Sequence, residues 1–142
     1  MRLCLKLWRA VLYLCCGFPI AANFRGAIML VYRVEKNGIG PYRHDEVDDK
    51  LYCKISSHNS CYNRPGPIRD GISIGPYNSD IHFGFKDIEQ LKAWFKGARS
   101  ALRKNGFNLV IYDVPKRWVY IGGKQVGFNM SKAWPMKTLK IP

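Results

Sequence analysis

The stretch DIHFGFKDIEQLKAWFKGARSALRKNGFNLVIYDVP, residues 80–115, decides the fold class. It opens on DIHFGF (80–85), where Ile81, Phe83 and Phe85 alternate with His82 and Gly84, the period of a half-buried strand. A helix over 87–104 follows. Asp87 stands at its N-cap with Gln90 three residues on, and Ile88, Leu91, Trp94, Phe95, Ala98 and Leu102 recur at the helical period. Asn105-Gly106 supplies a left-handed stop. Leu109-Val110-Ile111-Tyr112 is then continuously apolar and rich in β-branched residues, the pattern of a central strand covered on both faces.

Working outward, IMLVYRVE (28–35) reads as a strand with Leu30, Tyr32 and Val34 on one face and Met29, Val31, Arg33 and Glu35 on the other. Downstream, residues 117–121 and 124–128 alternate around Gly122-Gly123, a hairpin signal. A two-residue loop there sets Tyr120 opposite Gln125 and Trp118 opposite Gly127, with Pro115 and Pro135 bracketing the unit. Between the first two strands, residues 36–79 are punctuated by Gly38, Gly40, Pro41, Pro65, Gly66, Pro67, Gly71, Gly75 and Pro76, and read as a long irregular loop region. The whole is an α+β domain over 29–142: a small, mostly antiparallel sheet, one main amphipathic helix at 87–104 and a C-terminal β-hairpin.

Composition narrows the class. The 142 residues are 47% hydrophobic and 13% aromatic, too apolar for a disordered tail, and they show no heptads or repeats. The net charge is +13, and all ten acids lie between Glu35 and Asp113. Residues 29–142 alone keep 19 basic against those 10 acidic residues, so the domain is basic in its own right. Such a surface favours anionic partners without choosing among nucleic acid, nucleotides, acidic protein or anionic lipid. Residues 1–28 form a basic start (MRLCLKLWR) and an uncharged run (AVLYLCCGFPIAANF). At fifteen residues, with Pro19 inside, that run is short for a transmembrane span. The leader reads as an over-extended start before Met29, as a secretory signal, or as a membrane-surface anchor. The first places the protein in the cytoplasm of its host, the second exports it.

Catalytic motifs are absent: there is no GxxxxGK(S/T), GxGxxG, GxSxG or HExxH. Cys53, His58 and Cys61 are weak metal candidates, their spacing matching no standard zinc knuckle; free thiols or a disulfide are the alternatives. Asp45, Glu46, Asp48 and Asp49 read as a solvated turn. Aromatics interleave with cations at Tyr32-Arg33, Tyr42-Arg43, Tyr62-Asn63-Arg64, Trp94-Phe95-Lys96 and Lys116-Arg117-Trp118, as in single-stranded nucleic-acid binders. Lys92, Lys96, Arg99 and Arg103 form a stripe beside the helix's apolar arc, either a solvated flank or a rail for an anionic partner.

From Met29 onward the sequence resembles a group of small, uncharacterised proteins encoded by bacteriophages and prophages. LVYRVEKNGIGPY (30–42), SHNS (57–60), RPGP (64–67), HFGFKDIEQLKAWF (82–95), GFNLVIYDVP (106–115) and GGKQVGF (122–128) carry the pattern. This implies a phage accessory protein made in a bacterial host, and brings no reaction with it. A partial second resemblance, to ADP-ribosyltransferases, rests on a first strand ending in Tyr32-Arg33, where the arginine would contact the anionic NAD backbone. That family's catalytic Glu would fall where this chain has Gln125, which cannot act as a carboxylate. The resemblance makes Arg33 and Gln125 the catalytic candidates, and Tyr32, His44, His82 and Tyr120 join them as ligand-binding candidates. Arg33 also has a plain structural role open to it, an ion pair with Glu35 or another acid.

The leading expectation is a non-enzymatic accessory protein without cofactor that binds and modulates a host protein or other anionic host component, such as a defence factor in a counter-defence role. The alternatives are an ADP-ribosyltransferase-like protein binding or using NAD, and a single-stranded nucleic-acid binder. No motif bears on oligomeric state.

Overall fold

The computed structural model describes residues 26–43, 47–56, 64–74 and 79–142. These build two three-stranded sheets and three short helices, with every strand pair antiparallel. In the first sheet β1 (Ile28–Glu35) and β6 (Trp134–Leu139) flank β3 (Asn108–Pro115). In the second, β2 (Ile81–Gly84) and β4 (Val119–Ile121) flank β5 (Val126–Asn129). The α+β class expected from the sequence is the class observed.

Alternation along β1 organises the layers. Val31 faces the second sheet and packs with Val110, Tyr112, Val114, Val126 and Phe128. Val34 faces the other way, into a core with Leu109, Phe107 and the helices. Residues 109–112 thus sit on the central strand, with buried side chains on both of its faces. The two sheets meet where Tyr32 and Phe85 exchange main-chain hydrogen bonds of 2.8 Å each. Gly84 permits that approach, since a Cβ there would stand 2.8 Å from Val31 Cγ1 and 2.9 Å from the Tyr32 carbonyl oxygen.

The helix expected over 87–104 is two helices, α2 (Ile88–Trp94) and α3 (Arg99–Lys104). Gly97 breaks it with φ at +78°, a conformation that ends a helix. The apolar period runs through the break because Leu91, Phe95, Ala98 and Leu102 all enter one core. Both expected termini are present. The Gln90 N–H donates to Asp87 Oδ1 at 2.7 Å, and the Lys86 N–H donates to Gln90 Oε1 at 2.9 Å. At the other end the Phe107 N–H donates to the Leu102 carbonyl and that of Gly106 (φ +81°) to the Arg103 carbonyl, a Schellman closure.

Three more features depart from the sequence reading. The irregular region 36–79 holds a helix, α1 (Asp49–Ser56), capped by Asp48 through the Leu51 N–H at 2.6 Å, with Leu51 and Ile55 fully buried. The β4–β5 turn is shifted by one residue and centres on Gly123-Lys124: the Gly122 N–H donates to the Gln125 carbonyl at 2.9 Å, and Tyr120 stands opposite Gly127 rather than Gln125. Val119 and Ile121 still share a face with Val126 and Phe128, because the register moved by an even number. Finally, β6 runs through Pro135, tolerated because β6 is an edge strand.

Candidate functional site

A cavity of about 610 Å3 opens between β1, the turn that follows it, the 64–67 segment and β2. Four cationic or titratable side chains line it: Arg33, Arg43, Arg64 and His82. Tyr42, Trp94 and Gln125 join them, and among the described residues no carboxylate lines it.

Arg33 sits on the β1 face that looks toward the second sheet, and the i,i+2 spacing brings Glu35 to the same face. Its Nε donates to Glu35 Oε2 at 2.8 Å and its Nη1 to the Phe83 carbonyl at 2.8 Å. Glu35 Oε1 accepts from the Tyr112 hydroxyl at 2.8 Å. Arg33 and Glu35 are only 8% and 6% exposed, so this is a buried, charge-balanced network rather than a pair at a solvated strand edge. Burial, then the hydrogen bond to Glu35, push the Tyr112 phenol well above its ordinary range and keep it a donor.

Arg64 is equally buried, and it serves the helices. Its Nε donates to the Trp94 carbonyl at 2.7 Å and its Nη1 to the Ile55 carbonyl, satisfying acceptors at the C-terminal ends of α2 and α1. Tyr42 accepts from Trp94 Nε1 at 3.0 Å and donates to the Ile55 carbonyl at 3.4 Å. Enclosure of that hydroxyl raises its pKa, against the lowering effect of Trp94 and Arg64, while 42% of the residue stays exposed. Sequence reasoning treated Arg64 and Tyr42 only as members of an aromatic–basic pattern; no local spacing announced their long-range partners.

His82 is half-buried, its ring 6.5 Å from that of Phe128. Its pKa is lowered first by desolvation and then by the charges of Arg33 and Arg43, with Glu35 and Asp80 pulling the other way. Gln125 is buried: its Nε2 donates to the Pro65 carbonyl at 2.8 Å and its N–H to Asp70 Oδ2 at 2.9 Å. Asp70 also accepts from the Lys124 N–H, which ties the 64–72 segment to the hairpin turn.

The cavity therefore unites Arg33, His82 and Gln125, while Tyr32 packs on the helix side of β1 and Tyr120 lies outside the lining. The helical stripe does not form one rail. Lys92 pairs with Glu89 at 2.9 Å, and past the break Arg99 and Arg103 donate to the Pro142 and Ile141 carbonyls at 2.9 Å each. Cys53 is an exposed free thiol on α1; His44, His58 and Cys61 lie outside the described residues. Among the described residues no cluster of His, Cys, Asp or Glu fits a metal ion, and no helix is long and apolar enough to cross a membrane.

The profile of the bacteriophage T4 Y00F protein family matches residues 29–142. The chain belongs to that family. It is also similar to an "Uncharacterized 19.7 kDa protein in motB-dexA intergenic region" of Enterobacteria phage T4, 42% identical over 53 residues. The match covers 37% of this chain and 32% of that protein, so the chain aligns with about a third of the relative's length. No solved structure matches. The Y00F family bears out the resemblance to small phage proteins, and neither match carries a likeness to ADP-ribosyltransferases.

Proposed function

We propose that this Y00F-family protein acts in the infected host by binding, without turnover, an anionic host component that it thereby modulates, a defence or regulatory factor being the natural target of a phage accessory protein. The supporting observation is the cavity, which gathers three arginines and His82 and has no carboxylate among its described lining residues. Its volume, about 610 Å3, is that of a small-ligand site rather than a flat protein interface. The three arginines are compensated differently. Arg33 is neutralised by Glu35, whereas among the described residues Arg64 is bonded to neutral carbonyls and the Tyr42 hydroxyl, and Arg43 has no side-chain partner. Among the described residues neither the Arg43 nor the Arg64 guanidinium, both lining the cavity, has an acidic partner, which favours an anion whose binding weakens as salt rises.

A thermal-shift titration with anionic host metabolites tests this, using the intact chain and Arg43→Glu at low and physiological salt. Concentration-dependent stabilisation of the wild type, lost in Arg43→Glu and reduced by salt, is expected. Indifference of the wild type to every anion removes the reading.

The ADP-ribosyltransferase-like reading has one observation in its favour, the presence of Arg33 and Gln125 in the same cavity. Against it, the Gln125 amide is held by the Pro65 carbonyl and offers no negative charge to an oxocarbenium ion. Incubation with labelled NAD and bacterial lysate separates the two: transfer of label that depends on Arg33 would establish the enzyme, and none is expected.

A further inference from the structure

We infer that the ligand of this cavity is a phosphate monoester carrying a planar ring, of the class of nucleoside monophosphates, with its phosphate toward Arg43, His82 and Arg33 and its ring on Tyr42 and Trp94. The inference rests on the anion-binding reading above and adds the chemistry of the ligand. The charge of the site supports a phosphate. Arg43 toward one end and Arg64 beside the aromatic pair give the cavity two guanidiniums without an acidic partner among the described residues, a total charge that suits the −1.5 to −2 of a phosphate monoester at neutral pH better than a single carboxylate. Arg33, Arg43 and His82 all line the cavity, and both arginines act on His82 electrostatically, as do Glu35 and Asp80 with opposite sign. Gly40 lets the turn after β1 pass close to the Arg33 guanidinium: a Cβ there would sit 3.2 Å from Arg33 Nη2, the nitrogen that has no partner among the described residues.

The ring is argued from the other end. The Trp94 Nε1–H bond to the Tyr42 hydroxyl holds both aromatic side chains in place before any ligand arrives. Behind them, Tyr42 stacks on Phe95 (6.4 Å, 22°) and Trp94 leans on Phe85 (5.7 Å). One side of each ring is thus supported by core aromatics, while Tyr42 remains 42% exposed and Trp94 half-buried in the cavity wall. A rigid aromatic surface beside fixed cations is the arrangement that stacks a base next to its phosphate. An inorganic phosphate ion by itself would leave most of about 610 Å3 unfilled.

Calorimetric titration of the full chain with four probes tests the inference: a mixture of the common nucleoside monophosphates, ribose 5-phosphate, adenosine and poly-glutamate. The monophosphates are expected to bind about tenfold more tightly than ribose 5-phosphate, the low end of one base–aromatic stack, and adenosine weakly. Tyr42→Ala should bring the monophosphates down to the ribose 5-phosphate level without changing ribose 5-phosphate itself. Arg43→Ala should weaken both phosphates, and Tyr42→Phe, which keeps a ring but loses the hydroxyl that anchors Trp94, should retain part of the stacking advantage that Tyr42→Ala abolishes. Equal affinity for ribose 5-phosphate and the monophosphates overturns the ring and leaves anion binding intact. Binding of poly-glutamate alone overturns the nucleotide and keeps the anion, and no binding of any probe overturns both.

Discussion

Arg33 and Arg43 share a cavity and a residue type, yet the structure uses them in opposite ways. Arg33 is 8% exposed and engaged by Glu35 and the Phe83 carbonyl, with Tyr112 completing the network. Arg43 is exposed at the rim, with no side-chain partner among the described residues. A buried guanidinium needs partners, because desolvating an unpaired charge costs several kcal/mol: Arg33 finds a carboxylate and Arg64 finds carbonyls at helix ends, whereas an exposed guanidinium keeps its hydration. On the anion-binding proposal, Arg33 is therefore structural and Arg43 is the arginine left to meet the ligand. A mutational scan that treated all the cavity arginines alike would confuse folding with binding.

The sharpest way to break this contrast is Arg33→Ala. It strands the Glu35 carboxylate in the interior and is expected to lower unfolding stability by roughly 3–5 kcal/mol, read by urea denaturation. Adding Glu35→Leu should recover most of the loss, since the stranded charge is then gone. A full loss that persists in the double variant would show that the cost lies in packing and not in charge.

Gly84→Ala probes the seam that positions the wall. Its Cβ would press on Val31 Cγ1 and the Tyr32 carbonyl, and overpacking of this kind costs about 1–3 kcal/mol in the same experiment. Asp87→Ala, outside the cavity lining, should cost about 1 kcal/mol through the lost cap on Gln90 and leave ligand affinity unchanged. Arg43→Ala lies at the other extreme: a stability change within about 0.5 kcal/mol, accompanied by loss of anion affinity. Comparable effects of Arg43→Ala and Arg33→Ala on stability would erase the distinction between wall and rim.

The smallest expected effect is a pH dependence. His82 has its folded pKa lowered from 6.5, first by desolvation and then by the neighbouring arginines. The unfolded chain therefore takes up this proton first as pH falls. The contribution is complete above the ordinary histidine range and is lost as pH drops from 6.5 to the depressed folded value. His82→Gln should flatten that part of a stability–pH curve. An anion in the cavity acts in the opposite sense: it favours the imidazolium, so binding should strengthen as pH falls through the same window.

Much of the fold was legible from local pattern. The faces of β1, the Asp87 cap, the Asn105-Gly106 stop and the doubly covered β3 each depend on residues within a few positions of one another, whose chemistry is readable in order. The pattern misled where burial and backbone disagreed. An unbroken apolar period across 88–102 reports that those side chains enter one core, and it does not report that Gly97 turns the chain between two helices. Helix α1 was hidden because eight residues give only the single buried pair Leu51 and Ile55, and β6 because Pro135 reads as a stop unless the strand is known to be an edge.

By itself the sequence determined an α+β domain of antiparallel strands, its basic balance, and the placement of Arg33 and Glu35 on one strand face. Tertiary structure alone decided which arginine is neutralised, where Gln125 points and what surrounds the cavity. The contacts that settle those questions join residues 77 apart (Tyr112 to Glu35), 60 apart (Gln125 to Pro65) and 50 apart (Arg33 to Phe83). Local spacing encodes which side of an element is buried. Only the packed chain determines what that side is buried against, and that partner sets whether a charge is cancelled.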